Sequence, residues 1–117
     1  MKSSVLEALR DELKQFARER DWEQFHAPKN LAAGLSVEAG ELLEHFQWLS
    51  EEESAHLSEA ERAAVRLELA DVFIYLIRLA DVLDVDLVAA ARDKLAINTE
   101  RYPVGKAKGR AVKYDKL

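Results

Sequence analysis

Apolar side chains recur at three- and four-residue steps along most of the 117-residue chain, and this spacing constrains the fold more than any other feature. Val5, Leu6, Leu9, Leu13 and Phe16 show it first, as the buried face of one helix does. No segment reads convincingly as a strand. Only four glycines and two prolines interrupt the chain, so long helices are possible. The sequence therefore predicts an all-α protein.

Four helices with short connections are predicted, and capping residues mark their ends. Their expected ranges are Ser3 or Ser4 to Arg20, Asn30 to Leu49, Ser58 to Leu83, and Asp84 or Asp86 to Arg101 or Tyr102. Asn30 is a good N-cap, and Ser58 with Glu61 has the capping-box pattern. Pro103 and Gly105 are expected to end the last helix.

The length suits a single domain, and no linker or solenoid-period repeat divides the chain. Short connections between four helices favour a bundle. We expect residues 1–103 to form that domain, interrupted by an acidic connection at 50–57. Residues 104–117 are expected to be an irregular basic tail of the same domain.

The charge balance argues against a nucleic acid polymer as partner. The net charge is −5, whereas proteins that bind DNA or RNA usually present a basic surface. Beyond position 100 the chain has six basic residues and a single acid, Asp115. The basic residues are Arg101, Lys106, Lys108, Arg110, Lys113 and Lys116. This end of the chain is either a solvated tail or a basic flap that meets a polyanionic small molecule held on metal.

The chain contains no cysteine, which excludes disulfides, thiolate metal ligands and a cysteine nucleophile. No apolar run reaches the roughly 18 residues that a membrane-spanning helix needs. Met1–Arg10 is amphipathic and lacks the apolar core of a signal peptide. We therefore expect a cytoplasmic protein with no membrane partner.

Two acid pairs carry the clearest chemical signal. Glu38 and Glu41 lie three residues apart in the second predicted helix, and Glu68 and Asp71 do so in the third. Residues at this spacing share a helix face, and both pairs lie beside an apolar stripe. If the pairs face one another, a divalent cation would turn their repulsion into attraction, and Mg²⁺ prefers such carboxylate oxygens. A solvated charged face is the alternative.

Two further features bear on this interpretation. Di-iron carboxylate bundles use two Glu-x-x-His motifs, but here only Glu53 and His56 have that spacing, so the di-iron interpretation fails. Gly40 lies between the first two acids, and either close helix packing or a substrate contact would explain it.

The acid pairs, separated by residues 42–67, resemble the ExxE…ExxD signature of the MazG-like all-α nucleotide pyrophosphohydrolases. Other segments resemble the dCTP pyrophosphatase branch of that family: Arg20–His26, Pro28, Asn30–Leu31, Gly40–Leu42, Phe46–Trp48, Lys94, Ile97–Asn98 and Arg101–Pro103. The resemblance extends from about Leu9 to Tyr114.

This resemblance implies Mg²⁺ bound by Glu38, Glu41, Glu68 and Asp71, which also form the catalytic set. It implies cleavage of a dNTP, dCTP or a modified dCTP, between the α- and β-phosphates, and a role in cleaning the nucleotide pool. It implies a homotetramer whose pockets include residues of a neighbouring subunit. The residues expected around the nucleotide are Trp22, His26, Trp48, Tyr75, Asn98 and Tyr102, with Lys94 and Arg101 near its phosphates.

Two alternatives stay open at this point. The first is a MazG-like pyrophosphatase with a broad or different base preference. The second is a non-catalytic helical module that binds nucleotide through its aromatic groups and uses the acids for solubility or Ca²⁺. If the protein is an enzyme, the general base is one of the four acids or Glu44.

Overall fold

The computed structural model describes residues 4–117, apart from the side chain of Ser4, and is all-α as predicted. Its helices are α1 (Ser4–Glu19), α2 (Pro28–Glu44), α3 (Glu51–Ala55), α4 (Glu59–Val82), α5 (Leu87–Arg101) and α6 (Val104–Ala107), with 3₁₀ turns at Glu23–Phe25 and Tyr114–Lys116. No β-strand occurs in this part of the chain. Ser3, one of the two expected starts of the first helix, lies outside the described residues.

The predicted caps of the two C-terminal long helices are confirmed. The Ser58 hydroxyl accepts a hydrogen bond from the Glu61 backbone N–H, and the Glu61 carboxylate accepts one from the Ser58 N–H. This reciprocal pair begins α4. Asp86, rather than Asp84, caps α5, because its carboxylate accepts the Ala89 N–H at 3.0 Å. Asp84 takes a left-handed backbone, with φ of 55°, in the turn between the two helices.

The predicted limits of the second helix are wrong at both ends. α2 begins at Pro28, because proline has a suitable φ and lacks an N–H that would stay unpaired in the first turn. Asn30 is therefore not the N-cap, and its side-chain amide instead donates to the Phe25 carbonyl at 3.1 Å. The helix ends at Glu44, and the chain continues to Leu49 through turns.

The acidic connection and the tail contain structure that was not predicted. Ser50 and Glu53 form a second capping box, which begins the five-residue helix α3. In the tail, α6 follows Pro103, and a 3₁₀ turn begins at Tyr114. The irregular structure expected in the tail is thus only partly correct, and the acidic connection contains a helix that was not predicted.

The antiparallel packing of α2 on α4 is the main tertiary contact, and α1 also packs on α4. Antiparallel order follows from the residues that meet, because Gly34 contacts Tyr75 whereas Glu41 lies near Glu68. Within residues 5–117 the buried apolar side chains are few: Ala17, Leu31, Val65, Ile77 and Ala80. The radius of gyration is 17.6 Å, whereas a compact domain of this length has about 13 Å. The predicted bundle of α1, α2, α4 and α5 is therefore open.

Much apolar surface stays exposed in the single chain. An apolar groove of about 640 Å³ lies between α1, α4 and α5, and Val5, Phe73 and Leu95 are among its lining residues. Leu95 is 67% exposed, and Trp48, beyond α2, is 86% exposed. Soluble monomers rarely expose large contiguous apolar patches, so this surface is typical of a chain that associates. No helix within residues 4–117 has the length and apolar character needed to cross a membrane.

The two glycines of α2 differ in their surroundings, and this difference gives a stability test. A Cβ at Gly34 would overlap the Tyr75 ring, whereas a Cβ at Gly40 meets open space. Close packing is thus the role of Gly34 and not, within one chain, of Gly40. We expect Gly34→Ala to lower the free energy of unfolding by about 1–3 kcal/mol through overpacking. Gly40→Ala should be neutral or stabilising by up to about 1 kcal/mol. Urea unfolding of both variants checks this, and equal shifts in the same direction would contradict it.

Candidate functional site

Three carboxylates meet where α2 packs on α4. One oxygen each from Glu38, Glu41 and Glu68 lies within 4.8 Å of the other two. All three side chains are half-buried. The Oε2 atoms of Glu38 and Glu68 are buried and have no hydrogen-bond partner. Since buried polar atoms are normally paired, this cluster lacks a positively charged or hydrogen-donating group.

The electrostatics of the cluster are unfavourable without such a group. No arginine, lysine or histidine among residues 4–117 forms an ion pair with it. At a separation of 4.8 Å, two ionised carboxylates repel by roughly 3 kcal/mol at an effective dielectric constant of about 20. Partial burial raises the pKa of Glu38 to about 7, and Glu41, Asp71 and Glu68 add to the increase. A protonated Glu38 can also donate a hydrogen bond to Glu41.

The donor set suits a divalent cation. It consists of carboxylate oxygens only, which hard ions such as Mg²⁺ and Ca²⁺ prefer, and two of these oxygens lack any partner. Asp71, predicted as the fourth ligand, is exposed and lies outside the group of three, although its charge acts on Glu38. Glu44 is also exposed, at the C-terminal end of α2.

An aromatic cleft of about 200 Å³ lies beside the same two helices. Its lining residues are Trp22, Phe25, His26, Asn30, Leu31 and Tyr75. Tyr75 follows Asp71 by four residues on α4, and Gly34 precedes Glu38 by four on α2. Four residues rise about 6 Å along a helix, so the cleft begins about one turn from the acids. The cleft therefore brings three predicted substrate-binding residues, Trp22, His26 and Tyr75, together beside the helix pair that carries the carboxylate cluster.

The segment before α2 shapes this cleft. Its 3₁₀ turn and the Asn30 bond to the Phe25 carbonyl hold Phe25 and Asn30 in the wall, although neither was predicted as a site residue. The sequence signal for them was their place in the segment that resembles the dCTP pyrophosphatase branch. Trp22 packs edge-on against Phe16, with ring centroids 5.6 Å apart, and stays 45% exposed.

The other predicted substrate-binding residues lie apart from this site within one chain. Trp48 follows the C-terminal end of α2, a helix about 25 Å long, whereas the cleft lies at the N-terminal end of that helix. Within residues 4–117, no hydrogen bond or ion pair joins the acids to the predicted residues of α5 and its end, which are Lys94, Asn98, Arg101 and Tyr102. Arg101 instead lies 4.4 Å above the Tyr114 ring, and Tyr102 packs edge-on against the same ring.

An all-α fold with a carboxylate cluster between two helices is what the MazG-like family predicts, and comparison with known proteins gives the same family. A family model described as MazG-like matches residues 34–117, which is most of the chain. This chain therefore belongs to the MazG-like family, as the resemblance in the sequence indicated.

Its relatives narrow the class further. The protein dCTP pyrophosphatase 1 of Rattus norvegicus is 48% identical over 115 residues, which cover 97% of this chain and 68% of the relative. The Homo sapiens protein of the same name is 47% identical with the same coverage. The crystal structure of a pyrophosphatase from Archaeoglobus fulgidus aligns with a TM-score of 0.82 and 39% identity, covering 88% of this chain and 96% of that chain. The predicted resemblance to the dCTP pyrophosphatase branch is confirmed.

The raised pKa of Glu38 predicts how pH changes stability. Its ordinary value is 4.5 and its folded value is about 7, so folding favours the protonated form. The stabilisation of the folded state by the protonated Glu38 carboxyl is complete below pH 4.5 and is lost as the pH rises to about 7. In EDTA, we expect the Tm of the wild-type protein to fall relative to that of Glu38→Gln across this range. Differential scanning calorimetry of both proteins measures this.

A matched control separates the cluster from general charge effects. Glu12 is exposed on α1, away from the acids, so Glu12→Gln should follow the wild-type curve. Parallel curves for wild type and Glu38→Gln would show that the cluster does not strain the folded state.

Proposed function

We propose that this chain is a nucleoside triphosphate pyrophosphohydrolase that converts a dNTP to its monophosphate and pyrophosphate. The observation that carries the proposal is the partnerless carboxylate cluster of Glu38, Glu41 and Glu68 next to an aromatic cleft. The similarity to dCTP pyrophosphatase 1 supports dCTP, or a modified dCTP, as the preferred substrate.

Mg²⁺ is the proposed cofactor. Glu38, Glu41 and Glu68 would hold it, and Asp71, on the same side of α4 as Glu68, would complete the acidic set. When bound, the ion would screen phosphate charge and lower the pKa of a bound water. Without a cation, a triphosphate would be repelled from these acids, since both carry negative charge.

The carboxylates also supply the proton acceptor for hydrolysis. A water oxygen forms a bond to the α-phosphorus while the bond to the bridging α–β oxygen breaks, so that pyrophosphate leaves. The water's proton passes to one acid of the set or to Glu44, which is exposed one turn beyond Gly40.

The aromatic cleft is the proposed base site. The exposed indole face of Trp22 is suited to stack on a pyrimidine, an interaction worth about 1–3 kcal/mol for each base. Tyr75 lines this site from α4, the helix that also carries Glu68 and Asp71, and His26 contributes a polar edge. The base is then held about one helical turn from the phosphates.

We further propose that the functional unit is a homotetramer. The large radius of gyration and the exposed apolar groove support association of the chains. Trp48 and the predicted residues of α5 and its end, Lys94, Asn98, Arg101 and Tyr102, then reach the site from a neighbouring subunit. Lys94 and Arg101 bring positive charge to the phosphates. Residues 1–103 form the catalytic domain in this proposal, and the basic segment 104–117 is part of it.

The chemistry is tested by measuring pyrophosphate and orthophosphate release from a panel of dNTPs and NTPs. We expect release of pyrophosphate, highest with dCTP or its 5-substituted analogues, in Mg²⁺ and none in EDTA. Glu38→Gln should reduce kcat about a hundredfold or more, because the cation and the proton acceptor both depend on this cluster. Glu12→Gln is the matched control and should keep full activity.

The outcomes of this assay separate the alternatives. If release is highest from a nucleotide with another base, the proposed reaction stands and the preference for dCTP is rejected. Folded protein that binds dCTP equally well in EDTA and releases nothing would reject the enzyme in favour of a binding module.

The shared site is tested by mixing two weakened variants. Trp22→Ala and Trp48→Ala each remove one aromatic group, and each alone should lower kcat/KM at least tenfold, about the worth of one stacking contact. Mixed chains that have exchanged subunits should recover part of the activity, since some sites then contain both tryptophans. Light scattering should give about four times the chain mass of 13.3 kDa. A monomer, or a mixture with no recovery, would contradict the shared site.

A further inference from the structure

The His26 ring contacts a residue that the proposed function does not use. An Nη of Arg78 lies 3.2 Å from Nδ1 of His26, a contact between residues 52 positions apart. A guanidinium can only donate hydrogen bonds, so Nδ1 must accept and carries no proton. His26 is therefore neutral in this arrangement, with its proton on Nε2.

The cost of burying Arg78 indicates a role beyond packing. Only 6% of Arg78 is exposed, yet it has a single carboxylate partner, Asp81, at 3.2 Å. Its Nε–H is buried without any partner. Replacing a buried ion pair by apolar residues of similar volume often leaves a protein equally stable or more stable, because desolvation of the charges is costly. The contact with His26 is the other polar interaction that Arg78 makes within the described residues.

Arg78 also favours the neutral form of His26. Burial lowers the pKa of the imidazole, the positive charge of Arg78 lowers it further, and Glu23 acts in the opposite direction. Glu23 is itself paired with Arg18 at 3.1 Å. Nε2 of His26 has no hydrogen-bond partner among residues 4–117 and is not buried, so its N–H is available to a ligand in the cleft.

We propose that Arg78, anchored by Asp81, is a positioning residue that fixes His26 as a neutral Nε2–H donor for an acceptor atom of the nucleotide base. The acceptor is a carbonyl oxygen or an unprotonated ring nitrogen, as a pyrimidine offers. The base is favoured over phosphate because the cleft is largely aromatic and lies a turn from the acids. The identity of the ligand rests on the proposed function, whereas the state of His26 does not.

The state of His26 is tested by ¹⁵N NMR of histidine-labelled protein, with His26→Gln to assign the signals. In the wild type, we expect the Nε2–H tautomer at His26 and a pKa of its imidazole below the ordinary value of 6.5. In Arg78→Met, the two nitrogen shifts should move toward each other and the pKa should rise, because a donor and a positive charge are lost. An Nδ1–H tautomer in the wild type would overturn the proposal without any variant. So would an unchanged His26 in folded Arg78→Met.

The effect of Arg78 on binding of the nucleotide base is tested by steady-state kinetics with dCTP. Arg78→Met should raise KM about five- to tenfold, the equivalent of one hydrogen bond, and change kcat by no more than about twofold. Arg66→Met is the matched control, because Arg66 is an exposed arginine on the same helix. A similar loss in both variants, or a fall in kcat alone, would overturn the positioning role.

A conservative variant keeps the test usable if Arg78→Met does not fold. Arg78→Lys retains the charge and one donor but cannot bridge His26 and Asp81 with a rigid fork. Its KM should lie between those of the wild type and Arg78→Met. If Arg78→Met does not fold, the KM of Arg78→Lys should be about threefold above that of the wild type. A KM equal to the wild type with an altered His26 tautomer would overturn the proposal. Normal NMR behaviour in a protein that hydrolyses no nucleotide would instead reject the proposed function and leave the Arg78–His26 contact standing.

Discussion

The packing of α2 on α4 is the contact on which the rest of the site depends. Glu38 and Glu41 are neighbours on α2, and the packing brings Glu68 of α4 to them, so that one oxygen of each lies within 4.8 Å of the other two although their charges repel. Burial of apolar groups such as Leu31 and Ile77 opposes that repulsion and holds the helices together. A bound cation would remove the repulsion, so metal binding and stability of the helix pair are expected to be coupled.

The same helix pair carries acidic groups and aromatic groups at different positions along its length. Carboxylates occupy one level, and an aromatic cleft begins one turn away, where Gly34 lets Tyr75 approach the backbone of α2. This order suits the proposed substrate, a nucleotide whose phosphates would lie at a bound cation and whose base would lie among the aromatic rings. The buried Arg78 fits the division, since it contacts His26 in the cleft and, among residues 4–117, forms no ion pair with the clustered acids.

Local signals predicted more of the fold than tertiary ones. The Ser58–Glu61 capping box fixed the start of α4 because both partners lie within one turn. The Asn30 cap failed because Pro28 starts the helix first and the asparagine finds a carbonyl outside it. In the candidate site, the three-residue spacing identified the clustered acids. The Arg78 contact could not be read from the sequence, because it depends on helices that meet only in the folded chain.

Metal binding between α2 and α4 is the central claim, and crystals grown with Mn²⁺ in place of Mg²⁺ test it most directly. An anomalous difference map should show a peak about 2 Å from oxygens of Glu38, Glu41 and Glu68, since Mn²⁺ prefers the same oxygen ligands. Crystals of Glu38→Gln should show a weaker peak or none. A map with no peak at the cluster, at Mn²⁺ concentrations that support turnover, would contradict the account.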